Sequence, residues 1–196
     1  DWELVHGEAR FTDSDALSVG DRTIRATTFL VASGARPSIP AIPGLDTASY
    51  LTSTEALDLK QVPRSLVIIG AGYIALELGQ LFSHLGSEVT LLQRGERLLP
   101  DYEPEIGEAV GTMLARTGIR VLTSTYVQRV ERADQGRRLY IETNGAPAVL
   151  EAEHILIAAG RTPNVETLNL SAAGVETDRR GAVIVDAQLR TTTPHI

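Results

Sequence analysis

The 196-residue chain contains no cysteine. A disulfide scaffold, a thiolate metal site and a thiol nucleophile are therefore excluded within these residues, and the absence agrees with a cytoplasmic setting. Basic residues are outnumbered, 18 Lys and Arg against 25 Asp and Glu, for a net charge of -7. That balance argues against nucleic acid and anionic membrane as general partners. No apolar run approaches the length of a membrane span, and no signal peptide is present. The four histidines, His6, His84, His154 and His195, are scattered without metal-ligand spacing and read as surface or structural residues. No repeat at solenoid period occurs. What remains is a composition of 43% hydrophobic and 22% charged residues, that of a globular chain with one ordinary domain or one domain and flanking pieces. The chain opens strand-like and without methionine, and stops at Thr193-Pro194-His195-Ile196 with no sign of closure, so both ends read as cut.

The stretch Leu66-Val67-Ile68-Ile69-Gly70-Ala71-Gly72-Tyr73-Ile74-Ala75-Leu76-Glu77 organises the rest. Four apolar residues predict a buried parallel strand, and a helix follows the glycines. G-x-G-x-x-A between strand and helix is a dinucleotide-binding fingerprint. Gly70 permits a tight turn, Gly72 lets a pyrophosphate approach the backbone, and Ala75 lets helix and strand pack closely. The helix start offers free N–H groups and the positive end of a dipole to phosphate.

Alternation before this stretch predicts short antiparallel strands at Leu4-Val5, Ala9–Phe11, Leu17–Val19 and Thr23–Arg25, then a buried strand over Thr28–Ala32. Pro37, Pro40, Pro43 and Gly44 mark a crossing between domains. Thr52 and Glu55 fit a capping box for a short helix through Ala56–Leu59. After the fingerprint, Ile74, Leu78, Leu81, Phe82 and Leu85 recur at helical spacing and are expected on the sheet, with Gly86 ending the helix. A strand over Glu88–Leu92 follows. The next helix begins at Pro104, with Ile106, Val110, Met113 and Leu114 on one face. A strand over Ile119–Leu122 completes a βαβαβ unit, the mononucleotide-binding half of a Rossmann-type sheet. Val127–Glu131, Leu139–Thr143 and Val149–Ala152, joined at Gln135-Gly136 and Asn144-Gly145, predict an antiparallel meander in place of a crossover helix. Ile155–Ala158 is expected to re-enter the parallel sheet, and Val183–Val185 to form a further strand. The predicted class is α/β: a three-layer NAD(P)-binding domain with a parallel sheet and a β-meander, flanked by partial segments of a second domain.

Three landmarks in order, V-A-S-G-A-R-P (31–37), V-I-I-G-A-G-Y-I-A-L-E-L (67–78) and I-A-A-G-R-T-P-N (157–164), resemble the pyridine nucleotide-disulfide oxidoreductases. Y-L-T-S-T-E-A-L (50–57) and E-I-G-E-A-V (105–110) look most like the mercuric reductase branch. The resemblance implies an NAD(P)H domain over about 38–164, inserted between FAD-domain segments at 1–37 and 165–196. It also implies an FAD-dependent parent, a homodimer, that passes electrons from NADPH through FAD and a cysteine pair to Hg(II). The cysteine pair and first FAD unit would lie upstream, and the acidic FAD motif and dimerisation domain downstream. This part would bind NADPH without turning over. A dihydrolipoamide dehydrogenase or glutathione reductase-like enzyme, or a non-catalytic nucleotide-binding relative, are the alternatives.

By the same resemblance, Tyr73 covers the flavin and moves aside for nicotinamide, and Glu77, one helical turn on, lies beside the nicotinamide. Gly70, Ala71 and Gly72 hold the pyrophosphate through backbone contacts, and Ile74 is expected among the cofactor-binding residues. Cofactor choice falls at the end of the second strand. There Gln93 stands where NAD-binding relatives place a carboxylate, with Arg94 and Arg97 in reach of a 2′-phosphate, so NADPH is expected over NADH. Glu96 could neutralise one arginine, and Pro100 replaces a further basic residue. Gly160 and Arg161 are expected at the cofactor cleft, Val127 at adenine, and Ala32, Ser33 and Gly34 close to FAD. No catalytic residue and no metal ligand is expected within the chain.

Overall fold

A computed structural model describes residues 2–196. They separate into two compact units, Asp1–Arg36 with Arg161–Ile196, and Pro37–Gly160.

The first unit begins with β1 (Ala9–Asp13), β2 (Ala16–Val19) and β3 (Arg22–Arg25), an antiparallel sheet in that order. Their alternation fits one wet face and one face turned to a small core. Leu4-Val5 is not a strand. Nor is Thr28–Ala32. No strand pairs with that segment among the described residues, and Leu30 is 91% exposed. The Phe29 N–H donates to the His195 carbonyl at 2.9 Å, but without a strand alongside there is no ladder for the run as a whole, so the buried strand expected there does not form. β4 (Ala35–Pro37) closes this part of the chain.

The second unit holds α1 (Leu45–Ala48), α2 (Ser53–Leu57), β5 (Ser65–Ile69), α3 (Tyr73–His84), β6 (Glu88–Leu92) and α4 (Pro104–Arg116). It continues through β7 (Arg120–Leu122), β8 (Thr125–Ala133), β9 (Gly136–Thr143), β10 (Ala146–Ala152) and β11 (His154–Ile157). The order β11-β5-β6-β7 makes a wholly parallel sheet, and β10-β9-β8 an antiparallel meander. Successive side chains of a strand point to opposite faces. Leu66, Ile68, Leu91 and Leu156 accordingly enter the core shared with α3 and α4. Val67, Leu92, Ile155 and Ile157 enter a second core beneath the meander. The result is three layers with the sheet in the middle. Each of these buried aliphatic side chains stabilises the fold by about 1.5–3 kcal/mol against exposure.

The capping box at Thr52 and Glu55 is formed and starts α2, which ends at Leu57, two residues short of the expected Leu59. α1 is only one turn long, and its C-terminal carbonyls are captured from the meander. Arg132 donates to the Thr47 carbonyl and Arg137 to that of Ala48.

Two helices sit differently from expectation. α3 buries Ala75, Leu76, Leu78, Gly79 and Phe82, while Leu81 and Leu85 are 41% and 54% exposed. The reason is contact distance. A Cβ on Gly79 would stand 3.4 Å from Ile68 Cδ1 and 3.6 Å from Leu91 Cδ2, so α3 comes down on the side that carries Ala75, Gly79 and Phe82 and leaves Leu81 and Leu85 outward. In α4 the same holds: Gly107 and Leu114 are buried, and Ile106 and Met113 are 41% and 42% exposed.

The chain then returns to the first unit with β12 (Arg161–Pro163), which pairs with β4. Phe11, Leu170, Ala173, Val175 and Ile196 form this unit's core, with Phe29 meeting Phe11 edge-on at 5.2 Å. The strand expected at Val183–Val185 is replaced by single bridges, Thr177 to Val183 and Val185 to Thr191. Asp178 accepts from the N–H groups of Arg180 and Ala182, and Asp186 from those of Gln188 and Arg190. These side-chain turns compete with ladder formation. No helix is long and apolar enough to cross a membrane among the described residues.

Gly70 carries the tightest constraint near the sheet's carboxyl edge. Its φ is +118°, and a Cβ there would lie 2.2 Å from the Ala158 carbonyl oxygen at the end of β11. Gly70→Ala is expected to cost about 3 kcal/mol or more, from backbone strain and the forced retreat of that strand end, measured by urea unfolding.

Candidate functional site

β5 delivers Ile69 to the sheet's carboxyl edge, and the chain turns at once into α3. The Gly70 N–H donates to the Leu92 carbonyl at 2.9 Å, and the Ala158 N–H to the Ile69 carbonyl at 2.9 Å. The bend is thus tied to both neighbouring strands. Ala71 is buried and Ala75 fully so, which draws α3 against the sheet. Gly72 is the N-cap of α3, in extended backbone with φ −81°, and no side chain caps the helix. No acidic residue lies in the first turn. A Cβ on Gly72 would meet nothing within 4 Å. The two glycines therefore serve different ends. Gly70 is glycine because protein fills the space beside it; Gly72 faces open space. Unsatisfied first-turn amides, a helix dipole and an open approach form a cradle suited to a diphosphate.

Gly160 lies on the same edge, two residues past Ala158. Its φ is +119°, it is exposed, and the space beside it is open too. Ile74 is half-buried against the sheet core. Tyr73 and Glu77 are both exposed, one turn apart on the outer side of α3.

The segment after β6 is a built loop rather than a loose one. The Gln93 side-chain amide donates to the Arg97 carbonyl at 3.2 Å, and the Arg97 guanidinium donates to the Pro100 carbonyl at 2.7 Å. The Ser124 N–H reaches back to the Gly95 carbonyl at 2.9 Å. Leu98 is 4% exposed and plugs into α4. A Cβ on Gly107 would stand 2.5 Å from the Leu98 carbonyl oxygen, and one on Gly111 3.8 Å from Leu98 Cδ1. Leu99 takes the left-handed conformation, φ +48°, in turning the chain back out. Arg94 is exposed and makes no ion pair or side-chain hydrogen bond among the described residues. Glu96 pairs with neither arginine among them.

Tyr102 ends this loop. Its hydroxyl shares a hydrogen bond with that of Tyr73, and the two rings meet edge to face with centroids 6.5 Å apart. That hydrogen bond, ahead of desolvation and of the charge on Asp101, holds the Tyr73 phenol above the ordinary tyrosine range. Sequence reasoning missed Tyr102, Leu98 and Gly107. The only signal for them was the small-residue spacing Gly107-x-x-x-Gly111, which names no partner.

Val127 is half-buried and packs against the core beneath the meander. Arg161 belongs to the first unit, where its guanidinium donates to the Ala35 carbonyl. Ala32, Ser33 and Gly34 are exposed in that unit. Asn164 binds this segment, donating from its side chain to the Ser33 carbonyl at 3.1 Å and from its backbone to that of Gly34 at 3.0 Å. Arg36 forms a two-pronged pair with Glu166, at 2.6 and 3.2 Å, and also donates to the Asn164 side chain at 3.0 Å. The recurring S-G-A-R-P and A-G-R-T-P-N motifs are thus joined through their own residues. No group of three or more metal-ligating side chains occurs among the described residues.

The sequence profile of the pyridine nucleotide-disulphide oxidoreductases matches residues 2–196. The chain belongs to that family. It is 47% identical to mercuric reductase of Staphylococcus aureus over 195 residues, covering all of this chain and 36% of that protein. It is 48% identical to mercuric reductase of Bacillus cereus, again over 195 residues, covering all of this chain and 31% of that protein. Against dihydrolipoyl dehydrogenase of Geobacillus stearothermophilus the identity is 34%, over 99% of this chain and 42% of that protein. The chain therefore spans between about a third and two-fifths of these relatives. Among solved structures it is similar to the HOCl-induced flavoprotein disulfide reductase RclA of Escherichia coli, with a TM-score of 0.86 and 30% identity over 98% of this chain and 44% of that one.

The Arg36–Glu166 pair has a pH signature. Hydrogen bonds from Arg36 hold the Glu166 carboxyl down at about 2, below its ordinary 4.5. A carboxylate whose folded value is depressed stabilises the fold fully above its unfolded value and loses that contribution as pH falls through the folded one. The pair is exposed, so screening keeps the effect small. Thermal unfolding from pH 6 to pH 2 is expected to show a shallower loss of stability for Glu166→Gln than for the parent sequence.

Proposed function

We propose that Pro37–Gly160 binds NADPH and serves as the pyridine-nucleotide portion of a flavin-dependent oxidoreductase, with mercuric reductase the parent activity. The observation that carries this reading is the uncapped start of α3 beside a bare, open Gly72, at a bend bonded to Leu92 at the end of β6, two residues before an arginine that makes no ion pair or side-chain hydrogen bond among the described residues.

The residues fit the cofactor. The first-turn amides of α3 bind the diphosphate, with Gly70, Ala71 and Gly72 shaping its bed. Gln93 brings no negative charge to the end of β6, so a third phosphate is not repelled. Arg94, exposed and unpaired, offers it a planar donor fork. Arg97 already spends one donor on the Pro100 carbonyl and plays the lesser part. Gly160 gives the backbone a second close approach at the sheet edge. Tyr73 and Glu77 stand where the far half of the dinucleotide would leave the bend.

NADPH supplies the hydride when bound; the chain's residues supply orientation and charge. On this reading the whole enzyme takes NADPH and Hg(II) to NADP⁺, a proton and elemental mercury, with FAD as the intermediary. Ala32, Ser33 and Gly34 belong to the flavin side, in a homodimer whose remaining parts complete the flavin site. The greater identity to mercuric reductases than to dihydrolipoyl dehydrogenase supports the choice of acceptor.

Calorimetric titration of the chain tests the reading. NADPH is expected to bind more tightly than NADH, and Arg94→Glu to weaken NADPH by about 10- to 100-fold, the worth of a charge-assisted hydrogen bond, and reverse the preference. Equal affinities untouched by that change would overturn the assignment of the loop. Gly72→Ala separates binding from folding. It is expected to stay within about 1 kcal/mol of the parent stability, because its backbone is ordinary and its surroundings open, while losing about 10-fold or more in NADPH affinity.

A further inference from the structure

Arg94 stands in a segment whose main chain is fastened on both sides. The Gln93 N–H donates to the Leu122 carbonyl at 2.8 Å, the Thr125 N–H to the Gln93 carbonyl at 3.0 Å and the Ser124 N–H to the Gly95 carbonyl at 2.9 Å. The two neighbours of Arg94 are thus held by two successive amides. Successive amides of an extended strand face opposite ways. Both meet residues 93–95 here because Ser124 leaves strand geometry: its φ is +46°, in the left-handed region. Its own hydroxyl makes no hydrogen bond among the described residues, so the turn is held from its surroundings. The Ser124 carbonyl accepts from the Asn144 N–H at 3.1 Å. Thr125 is 3% exposed; its hydroxyl donates to the Thr123 carbonyl at 2.8 Å and shares a second hydrogen bond with the Thr143 hydroxyl, also at 2.8 Å. Ser124 is therefore gripped through the residues before and after it, and the grip is anchored at the end of β9.

We propose that Thr125 is a positioning residue for coenzyme choice. By holding Ser124 in its left-handed turn it fixes the main chain on both sides of Arg94, so that the guanidinium is offered to the third phosphate of NADPH from a rigid root. The inference rests on the NADPH-binding reading above and adds to it a determinant outside the loop. Thr125 is buried and acts through that loop. A guanidinium on a fixed root loses less freedom on meeting its phosphate than one on a slack segment. NADH carries no phosphate at that position and gains nothing from the arrangement.

The test uses the full 196-residue chain, titrated with NADPH and with NADH by calorimetry, with amide hydrogen exchange followed by NMR. Thr125→Val keeps the branched shape and removes the hydroxyl. It is expected to bind NADPH about 5-fold more weakly, the worth of one ordinary hydrogen bond, and NADH within about 2-fold of the parent chain. Exchange at the Ser124 and Thr125 amides is expected to quicken, while that of the β5 amides stays as it is. Thr125→Ser retains the hydroxyl and is expected to restore the parental ratio of affinities. If Thr125→Val does not fold, Ser124→Val decides the same point: a β-branched residue is driven out of the left-handed region, and the same selective loss is expected. An equal loss for both coenzymes marks a merely structural effect and overturns the inference. So does NADPH affinity that these variants leave unchanged. Either outcome leaves the functional reading standing. A parent chain that binds no NADPH, or binds it no better than NADH, overturns that reading and this inference together.

Discussion

The structure depends on how closely α3 can lie on the parallel sheet. Ala75 and Gly79 fall one turn apart on the same side of the helix, and a side chain at Gly79 would already touch Ile68 and Leu91. Gly70, at the head of the helix, presses against the carbonyl of Ala158. The intimacy is set by what these positions lack. Larger residues would lift the helix away, and the bend would lose its bonds to Leu92 and Ala158. With the helix seated, its first amides are aimed along the sheet's carboxyl edge, where no side chain answers them. Packing and the open helix start are thus two results of one steric condition, and most of the free energy behind it is ordinary apolar burial on both faces of the sheet.

The charged parts are organised around that frame at lower cost. Arg132 and Arg137 use the negative end of a one-turn helix, and Arg36 binds a carboxylate and an amide that hold two glycine-containing segments together. Arg94 makes no such bond among the described residues.

Much of the fold was legible in the sequence because period and punctuation agree. Glu88–Leu92 has the limits its apolar residues and the preceding Gly86 imply, and the meander follows its turn residues. Legibility failed where a large side chain was read as a buried one. Leu81, Leu85, Ile106 and Met113 satisfy helical spacing yet lie outward, because glycine and alanine, which carry little weight in a hydrophobic count, occupy the contact. It failed again at Thr28–Ala32, where a pairing strand is missing among the described residues, and at Val183–Val185, where the Asp178 and Asp186 turns leave single bridges instead of a ladder. In the candidate site, the bend announces itself through local pattern. The Tyr73–Tyr102 contact and the seat of Leu98 arise from the meeting of distant segments, and no short motif encodes them.

The buried Leu98 divides the segment after β6 into two stretches with separate obligations. Everything from Leu98 onward answers to α4, where the Gly107 backbone admits no change of course. Ahead of Leu98, Gly95 and Arg97 are braced through Ser124, Gln93 and Pro100, while the side chains of Arg94 and Glu96 extend into solvent without a hydrogen-bond partner among the described residues. Exchange of the exposed side chains at 94 and 96 would leave the peg behind them in place, so this stretch of surface can change without putting the integrity of the fold at stake.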